Sequence, residues 1–498
     1  YIKAIKEKVP NDLAVVKGEL TSQDTDGWST LINCASSHIY LKQMNRKCES
    51  ALENGAEPVR VLSSVLGQNY PSDELEYSWK KLMQNHPHDS ICCCSVDEVQ
   101  DEMATRFNKS KQVADYLVSE GTRYIADKIN TKEYEKYKNA LPFVVFNTTG
   151  RKRTSVVSVE IDVTRKSGWL KKCAYDLDEI NVPNYKLIDS AGNSIPFKIE
   201  DLGVRFGYDL PKDKFRQPYM ARRVRVTFEA ENISAVGYKT YALVEGDAEK
   251  VTDTLVSGEN CMENDAIRVE INKNGSLNVT DKASGRTYKG VAYYEETGDL
   301  GNEYMYKMPE GSKAITTQDT VAKIELAEDE PYRAMYKITN TITVPKSGDD
   351  NFEDEKRHMV FFKERVGGRS NDTVEMKIET FVSLDKNGKG VKIKTRFDNE
   401  VKDHRVRIMV PTGINSDVHK ADSVFEVVTR NNRHNAGWNN PSGCEHEQGF
   451  VSIDDGEKGI AVANIGLYEY EMLPDLDNTI AVTILRAVGE MGDWGVLP

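Results

Sequence analysis

The sequence lacks any pair of cysteines separated by two residues, although it contains eight cysteines in 498 residues. Such pairs are the usual ligands of structural zinc, so a cysteine-bound structural zinc site is not expected. Cys92, Cys93 and Cys94 are consecutive, and neighbouring cysteines are poorly placed for the cross-links of a secreted scaffold. The cysteines are therefore predicted to be reduced thiols, as in a cytoplasmic protein.

Long apolar runs and excess positive charge are lacking as well. No run approaches the ~18 residues that a membrane-spanning helix needs. Lys and Arg total 66 against 79 Asp and Glu, which gives a net charge of -13. So acidic a surface repels phosphate backbones and anionic lipid heads, which argues against nucleic acid or membrane partners. The chain also begins at Tyr1 without an initiator Met or a signal peptide, which predicts that it belongs to a longer protein.

The first part of the chain has helical spacing. Apolar residues recur at three- and four-residue steps within 36–66, within 72–86 and after Ser95. Ser95, with Glu98 three residues later, predicts a capping box at the start of the third helix. We expect a three-helix bundle over residues 22–135.

After residue 140 the apolar period changes to two, which is typical of half-buried strands. Asn274-Gly275 lies between two such strands and predicts a tight hairpin turn. No long helical stretch interrupts this half, so we expect antiparallel β-sandwiches, a small one at 140–248 and a large one at 249–498. The predicted fold class is α+β, with several domains.

One segment concentrates residues that carry chemistry: Gln84-Asn85-His86-Pro87-His88-Asp89-Ser90, between the second and third helices. Pro87 stiffens the backbone, so that an imidazole is aimed with little entropic cost. His88 beside Asp89 pairs a neutral nitrogen ligand with a carboxylate, which can orient the histidine on a metal. The alternative is a helix stop with hydrogen-bonded histidines, because two ligands from one turn do not complete a tetrahedral site.

Leu82-Met83-Gln84-Asn85-His86-Pro87-His88-Asp89-Ser90-Ile91-Cys92 resembles the signature at the end of the catalytic region in bacterial α-mannosidases of glycoside hydrolase family 38. Further segments resemble landmarks of the same family, in the same order along most of the chain. These are Ser36-Ser37-His38-Ile39-Tyr40-Leu41-Lys42-Gln43-Met44-Asn45, Gly301-Asn302-Glu303-Tyr304, Lys402-Asp403-His404-Arg405-Val406-Arg407 and Asn464-Ile465-Gly466-Leu467-Tyr468-Glu469-Tyr470-Glu471.

The resemblance implies a retaining α-mannosidase that hydrolyses α-mannosidic bonds of oligosaccharides, with zinc or another divalent metal in the −1 subsite. By this resemblance His88 would be a metal ligand, Asp89 would bind hydroxyls of the sugar, and Tyr304 would contact the sugar from the large sandwich. His86 would be a packing residue behind the metal ligand. A mannose-containing oligosaccharide is the implied partner, and a homodimer is compatible with the family.

The resemblance also places the nucleophile, the acid/base and the other metal ligands in an N-terminal domain upstream of Tyr1. Residues 1–21 would be the remnant of that catalytic domain, and the large sandwich would be truncated at its C-terminus. The chain by itself is therefore expected to be inactive. Two positions depart from the family pattern: Cys93 stands where the pattern has glycine, and His38 stands where it has arginine.

Two other functions fit the same sequence. One is a family 38 hydrolase of mannosylglycerate or its phosphorylated form, which only contacts outside the −1 subsite would distinguish. The other is a non-catalytic carbohydrate-binding or scaffold protein, which would use aromatics such as Trp438 and need no metal. At the level of single residues, Tyr304 could be an ordinary sandwich aromatic, and the segment 403–405 could form a salt bridge at a strand end.

Overall fold

The computed structural model describes residues 1–10, 12–15, 19, 27, 31–211, 213–249 and 251–489. Its α-helices are α1 (Ile2–Lys6), α2 (Ile39–Ser50), α3 (Glu57–Val65), α4 (Ser72–Met83), α5 (His88–Ile91), α6 (Asp97–Ala126), α7 (Leu170–Asp178) and α8 (Asp350–Arg357). A π-helical segment, Ala51–Ala56, joins α2 to α3, and 3₁₀ turns occur at Ile32–Ser36, Lys132–Tyr134, Thr317–Asp319 and Phe362–Glu364.

The strands follow after residue 140. They are β1 (Leu141–Asn147), β2 (Arg153–Lys166), β3 (Tyr185–Asp189), β4 (Ser194–Ile195), β5 (Phe197–Asp209), β6 (Gln217–Ile233), β7 (Gly237–Glu245), β8 (Val256–Gly258), β9 (Cys261–Glu263), β10 (Ile267–Ile271), β11 (Leu277–Asp281), β12 (Arg286–Val291), β13 (Tyr293–Gly298), β14 (Ile315–Thr316), β15 (Lys323–Glu330), β16 (Arg333–Pro345), β17 (Thr373–Asp385), β18 (Lys392–Arg396), β19 (His404–Val410), β20 (Val418–Ser423), β21 (Glu426–Asn431), β22 (Cys444–His446), β23 (Phe450–Asp454), β24 (Gly459–Ala463), β25 (Glu469–Leu473) and β26 (Thr479–Ala487).

Helix α6 is the centre of the helical part, because α2, α3 and α4 all pack against it. Its buried stripe includes Met103, Phe107, Ala114 and Leu117, at the three- and four-residue steps that predicted the helix. The backbones of α3 and α6 approach closely at Gly121, where a Cβ would lie 2.5 Å from a methyl of Val59.

The predicted capping box at the start of α6 is wrong. Val96 occupies the N-cap position, and no side chain caps the helix. The Ser95 hydroxyl is buried and has no hydrogen-bond partner among the described residues. Asp97 and Glu98 still lie in the first turn, where the helix dipole favours their negative charge.

The small sandwich consists of two antiparallel sheets with strand orders β1-β7-β3-β4 and β2-β6-β5. Their facing sides enclose a core that includes Leu187, Val226, Phe228 and Leu243. The alternation that predicted these strands is visible in β6, where Val224, Val226 and Phe228 are all buried.

The large sandwich contains four antiparallel sheets, with orders β12-β11-β10-β9-β8, β15-β16-β17-β18, β14-β13-β19-β26-β25-β22 and β21-β20-β23-β24. The predicted hairpin joins β10 to β11, but its connection is longer than a two-residue turn. The last paired residues are Ile271 and Leu277, and the five residues 272–276 form the loop. Gly275 supplies the positive φ, +84°, and the Asn274 side chain accepts from the backbone N–H of Ser276.

The helical part is attached to the six-stranded sheet through the 3₁₀ turn Ile32–Ser36, which contacts β22, β25 and β26. The buried carboxylate of Glu469 on β25 accepts hydrogen bonds from Asn33 at 2.8 Å and from Ser36 at 2.6 Å. This attachment brings the turn between α4 and α6 next to a loop of the large sandwich. The described residues include no helix long and apolar enough to cross a membrane.

Candidate functional site

The turn that carries the histidines is fixed to helices α6 and α2 by Asn85 and His86. Asn85 is fully buried, and its side-chain amide donates to the backbone carbonyl of Met103 on α6 at 2.9 Å. His86 Nε2 lies 2.8 Å from Asn45 Oδ1 on α2. His86 therefore contacts helix α2 through this bond.

His88 and Asp89 are the first two residues of the short helix α5, directly after Pro87. His88 Nε2 and Asp89 Oδ1 are 3.2 Å apart. Their side chains are 87% and 75% exposed, so both polar groups project from the surface while the backbone behind them is fixed.

The donor set does not amount to a zinc site by itself. Zinc sites in proteins use three or four protein ligands. In the described part of the chain no group of three His, Cys, Asp or Glu side chains is placed to hold a metal ion. His88 can supply one ligand, and further ligands would have to come from residues other than the described ones.

Tyr304 lies on a loop of the large sandwich between β13 and β14, and that loop is closely held. Asp299 Oδ1 accepts the backbone N–H groups of Gly301 at 2.9 Å and Lys307 at 3.1 Å. Arg486, fully buried at the end of β26, pairs with Asp299 Oδ2 at 2.8 Å. It also donates to loop carbonyls, those of Asn302, Glu303 and Met305.

The loop and the histidine turn meet at Cys94. Burial raises the pKa of Cys94, and interaction with the Tyr304 hydroxyl partly offsets that rise. Cys94 Sγ lies 3.8 Å from Asp89 Oδ1 and 3.8 Å from the Asp89 carbonyl oxygen. The structure therefore brings Asp89 and Tyr304 into one site, with His88 beside them. Cys94 was missed in the sequence, where the run of three cysteines was its only signal.

Four more residues lie under the turn: Cys34, Lys42 and Cys93, which are buried, and Cys92, which is partly exposed. Interaction with the Cys34 thiol lowers the pKa of Cys92 to about 6, against the opposing effect of burial. Interaction with the Cys92 thiol, together with burial, raises the pKa of Cys34. Lys42 Nζ donates to Cys93 Sγ at 3.1 Å and to the carbonyl of Ser37.

Cys93 adopts a left-handed backbone conformation, with φ of +63°. Its position is one where the family pattern has glycine, the residue that takes such a conformation without strain. His38, at the other departure from the pattern, is also left-handed, with φ of +44°, and lies at the N-cap of α2. Its Nδ1 is 3.1 Å from the Ser37 hydroxyl.

The landmark at 402–407 and the candidate aromatic Trp438 both make contacts within the large sandwich. At the start of β19, Asp403 pairs with Lys356 at 3.5 Å, and His404 Nδ1 lies 3.2 Å from a buried oxygen of Glu296. Trp438, which the carbohydrate-binding alternative would use, stacks on His434 with ring centroids 4.0 Å apart. Its Nε1 donates to the carbonyl of Ser442 at 3.0 Å, in the same loop, and the ring is partly buried.

Comparison with known proteins places nearly the whole described chain in one class of enzymes, the glycoside hydrolases. Residues 29–125 match the model of the α-mannosidase middle domain. Residues 138–245 match the glycosyl hydrolases family 38 C-terminal domain 1, and residues 262–490 match the family 38 C-terminal domain. The chain belongs to glycoside hydrolase family 38.

Individual relatives agree with this assignment. A protein of Halalkalibacterium halodurans named "Putative mannosylglycerate hydrolase" is 40% identical over 511 residues, which include 100% of this chain and 55% of the relative. The crystal structure of an α-mannosidase from Enterococcus faecalis V583 is 42% identical, with a TM-score of 0.95, over 99% of this chain and 56% of that one. A second Enterococcus faecalis structure, of a family 38 protein, is 39% identical with a TM-score of 0.90, over 100% and 57%. The chain thus spans about half the length of these relatives.

Proposed function

We propose that this chain supplies the His88–Asp89 turn and Tyr304 to a retaining α-mannosidase that acts on mannose-containing oligosaccharides. The observation that carries the proposal is the exposed His88–Asp89 pair, whose backbone is fixed by buried Asn85 and whose carboxylate is linked through Cys94 to Tyr304. The similarity to a solved α-mannosidase at 42% identity supports the choice of substrate class.

Each side chain has a stated part in the proposed reaction. His88 offers an imidazole nitrogen to a divalent metal, which when bound supplies a template and a Lewis acid for the sugar hydroxyls. Asp89 accepts hydrogen bonds from those hydroxyls, and Tyr304 limits the pocket from the sandwich side. Retaining hydrolysis also needs two carboxyl groups about 5–5.5 Å apart, as nucleophile and acid/base. We assign these to the part of the relatives that this chain does not span, so the chain alone should be inactive.

The test is hydrolysis of an aryl α-mannoside by the natural full-length protein and by its His88→Ala variant. Removing one ligand of a metal that the reaction needs should lower kcat/KM by about 100-fold or more. Added zinc should not restore it. The matched control is His358→Ala, because His358 is an exposed histidine at the C-cap of helix α8 and has no assigned part in the site.

Full activity in His88→Ala would contradict the metal assignment, and hydrolysis by the 498-residue chain alone would contradict the division of the site. Loss of activity in both histidine variants would point to general damage instead, which a comparison of their urea unfolding midpoints would reveal.

A second candidate is hydrolysis of mannosylglycerate, which the name of the Halalkalibacterium halodurans relative favours. Both reactions would use the same −1 subsite, so the His88→Ala result would not separate them. The two candidates are separated by the ratio of kcat/KM for mannosylglycerate to kcat/KM for an α-mannobiose. A ratio above one favours the second candidate, and a ratio below one favours the oligosaccharide mannosidase.

A further inference from the structure

The three-stranded sheet of the small sandwich has a free edge at strand β5. The strand order is β2-β6-β5, so β5 pairs with β6 and with no other strand in the part of the chain that the structure describes. Helix α7 contacts β2, β5 and β6, which places it across a face of the sheet and not along this edge. In an antiparallel edge strand every second residue presents its N–H and C=O outward, which is a template for pairing with another strand.

A bulge divides β5 and leaves its second half regular. The register with β6 shifts between Asp201 and Gly203, and Gly203 has a positive φ of +75°. From Gly203 to Asp209 the pairing with β6 continues without a further shift. This stretch contains neither proline nor lysine, which are residues that commonly protect an edge strand from other chains. The free edge is therefore open to a partner over residues 203–209.

Large apolar side chains of the same hairpin are exposed. Phe206 and Tyr208 on β5 are 50% and 48% exposed, and their ring centroids lie 6.2 Å apart. Leu210 and Phe215, in the connection from β5 to β6, are 72% and 84% exposed. Apolar side chains that cluster on a surface in this way are typical of sites of association.

The order of residues around Gly207 is complementary to itself. If two copies of the strand run antiparallel about a two-fold axis at Gly207, each residue faces the one equally far beyond that glycine. Arg205 then faces Asp209, and Phe206 faces Tyr208. No other two-fold axis in this stretch places the two charges opposite each other. Gly207 faces its own copy, and because it has no side chain it brings neither a clash nor a like charge to the axis.

We propose that the β5 edge is an interface between two copies of this chain, which pair antiparallel about Gly207 into one continuous six-stranded sheet. Cross-strand pairs of opposite charge and of two aromatic rings both stabilise such a sheet. Each interface would contain both kinds of pair twice, once on either side of the axis. The interface lies on the small sandwich, away from the residues assigned to hydrolysis, and it does not depend on the proposed function.

The charges of a single chain are consistent with this pairing. Arg205 is exposed, and its guanidinium donates to the Val204 carbonyl at 3.3 Å but forms no ion pair within the described part of the chain. The partner's Asp209 would supply the missing counter-charge. Within its own chain Asp209 lies 3.7 Å from Arg165, which is a long contact that leaves the carboxylate able to accept from a second guanidinium.

The experiment measures the mass of the natural full-length protein by sedimentation velocity over a range of concentrations. The wild type should pass from monomer to dimer as the concentration rises. Asp209→Arg places arginine opposite arginine on both sides of the axis, so we expect this variant to stay monomeric. A double variant that combines Arg205→Asp with Asp209→Arg exchanges the two charges and should regain the dimer.

Asp213→Arg is the matched control, because it makes the same change of charge at an exposed position of the same hairpin, outside the paired residues. It should dimerise like the wild type. A wild type that stays monomeric would overturn the proposal, and so would a dimer that persists in Asp209→Arg. A double variant that stays monomeric would overturn it as well, because pairing about Gly207 requires the exchange to restore both ion pairs. Circular dichroism of each variant distinguishes loss of the dimer from loss of the fold.

Discussion

At the scale of single residues, two buried glutamates separated by one position have opposite protonation behaviour. Burial raises the pKa of Glu447 to about 7, and a hydrogen bond from Asn464 offsets only part of that rise. The pKa of Glu445 is lowered to about 2, because hydrogen bonds and charge from His419 and Arg430 outweigh its burial. The difference lies in the partners, since both carboxyl groups are removed from water.

The Glu447 shift makes the stability of the fold depend on pH with a defined sign. In the folded chain Glu447 keeps its proton up to about pH 7, while in the unfolded chain it loses the proton near 4.5. The unfolded state binds fewer protons in this interval, so the free energy of unfolding should fall as the pH rises through it, by at most about 3 kcal/mol. Glu447→Gln, which mimics the protonated acid, should remove this fall and be the more stable protein at about pH 8.

Urea unfolding of the wild type and Glu447→Gln at both ends of that interval measures the effect. Glu445→Gln is the matched control, because removing an ionised carboxylate from His419 and Arg430 should destabilise the chain at neutral pH. A Glu447→Gln variant with the pH dependence of the wild type would show that Glu447 titrates at its ordinary pKa.

At the scale of elements, the end of β26 decides where the Tyr304 loop lies. Arg486 donates to carbonyls of that loop and to the Asn33 carbonyl, and its charge is paired only with Asp299 among the described residues. A planar guanidinium reaches several acceptors at once, and an ammonium does not.

Arg486→Lys should therefore lower the free energy of unfolding by about 3–5 kcal/mol, since Asp299 and the loop carbonyls lose buried partners. Urea denaturation gives this value, and limited proteolysis should show earlier cleavage in the Tyr304 loop. Arg433→Lys is the control, because the Arg433–Asp475 pair is exposed and screened by water, so this substitution should leave the urea midpoint nearly unchanged. Equal effects of the two substitutions would argue against a role of Arg486 in holding the Tyr304 loop.

Much of the fold could be predicted from local patterns, because the helical stripe of α6 and the alternation of β6 and β17 reflect which side chains face a core. The histidine turn was also recognisable from the sequence, because its residues are consecutive. Cys94 and Arg486 could not be recognised, because their partners lie far away in sequence. The capping box failed because the spacing of Ser95 and Glu98 does not determine where the helix begins.

At the scale of the whole molecule, the site lies where the helical part meets the large sandwich, and Glu469 joins the two. Its carboxylate is buried and accepts from Asn33, from Ser36 and, at 2.6 Å, from Thr483. Nearby, the left-handed Gly466 packs so closely on α2 that a Cβ would lie 2.7 Å from the Cα of Gln43. The predicted domain boundaries, the homodimer and the cytoplasmic location stay predictions.

Glu469→Ala should weaken this junction by about 3 kcal/mol, because Asn33 and Ser36 lose a charged acceptor in a buried place. We expect the helical signal in far-UV circular dichroism to be lost at lower urea than the near-UV signal of the sandwich, whereas in the wild type the two coincide. Glu375→Ala, at an exposed strand position, should leave them coincident. Coincident transitions in Glu469→Ala would mean that other contacts dominate the junction.

The left-handed backbone at Cys93 has a consequence for how this sequence can change over generations. A glycine there would relax the backbone but would remove the sulfur that Lys42 contacts. The buried ammonium would then keep the Ser37 carbonyl as its acceptor among the described residues. Conversely, replacing Lys42 alone would keep the strained backbone at Cys93 but would remove the hydrogen bond that its sulfur accepts from Lys42. Each single step is unfavourable, so a lineage should exchange the two positions together, and homologues should separate into those with both residues and those with neither.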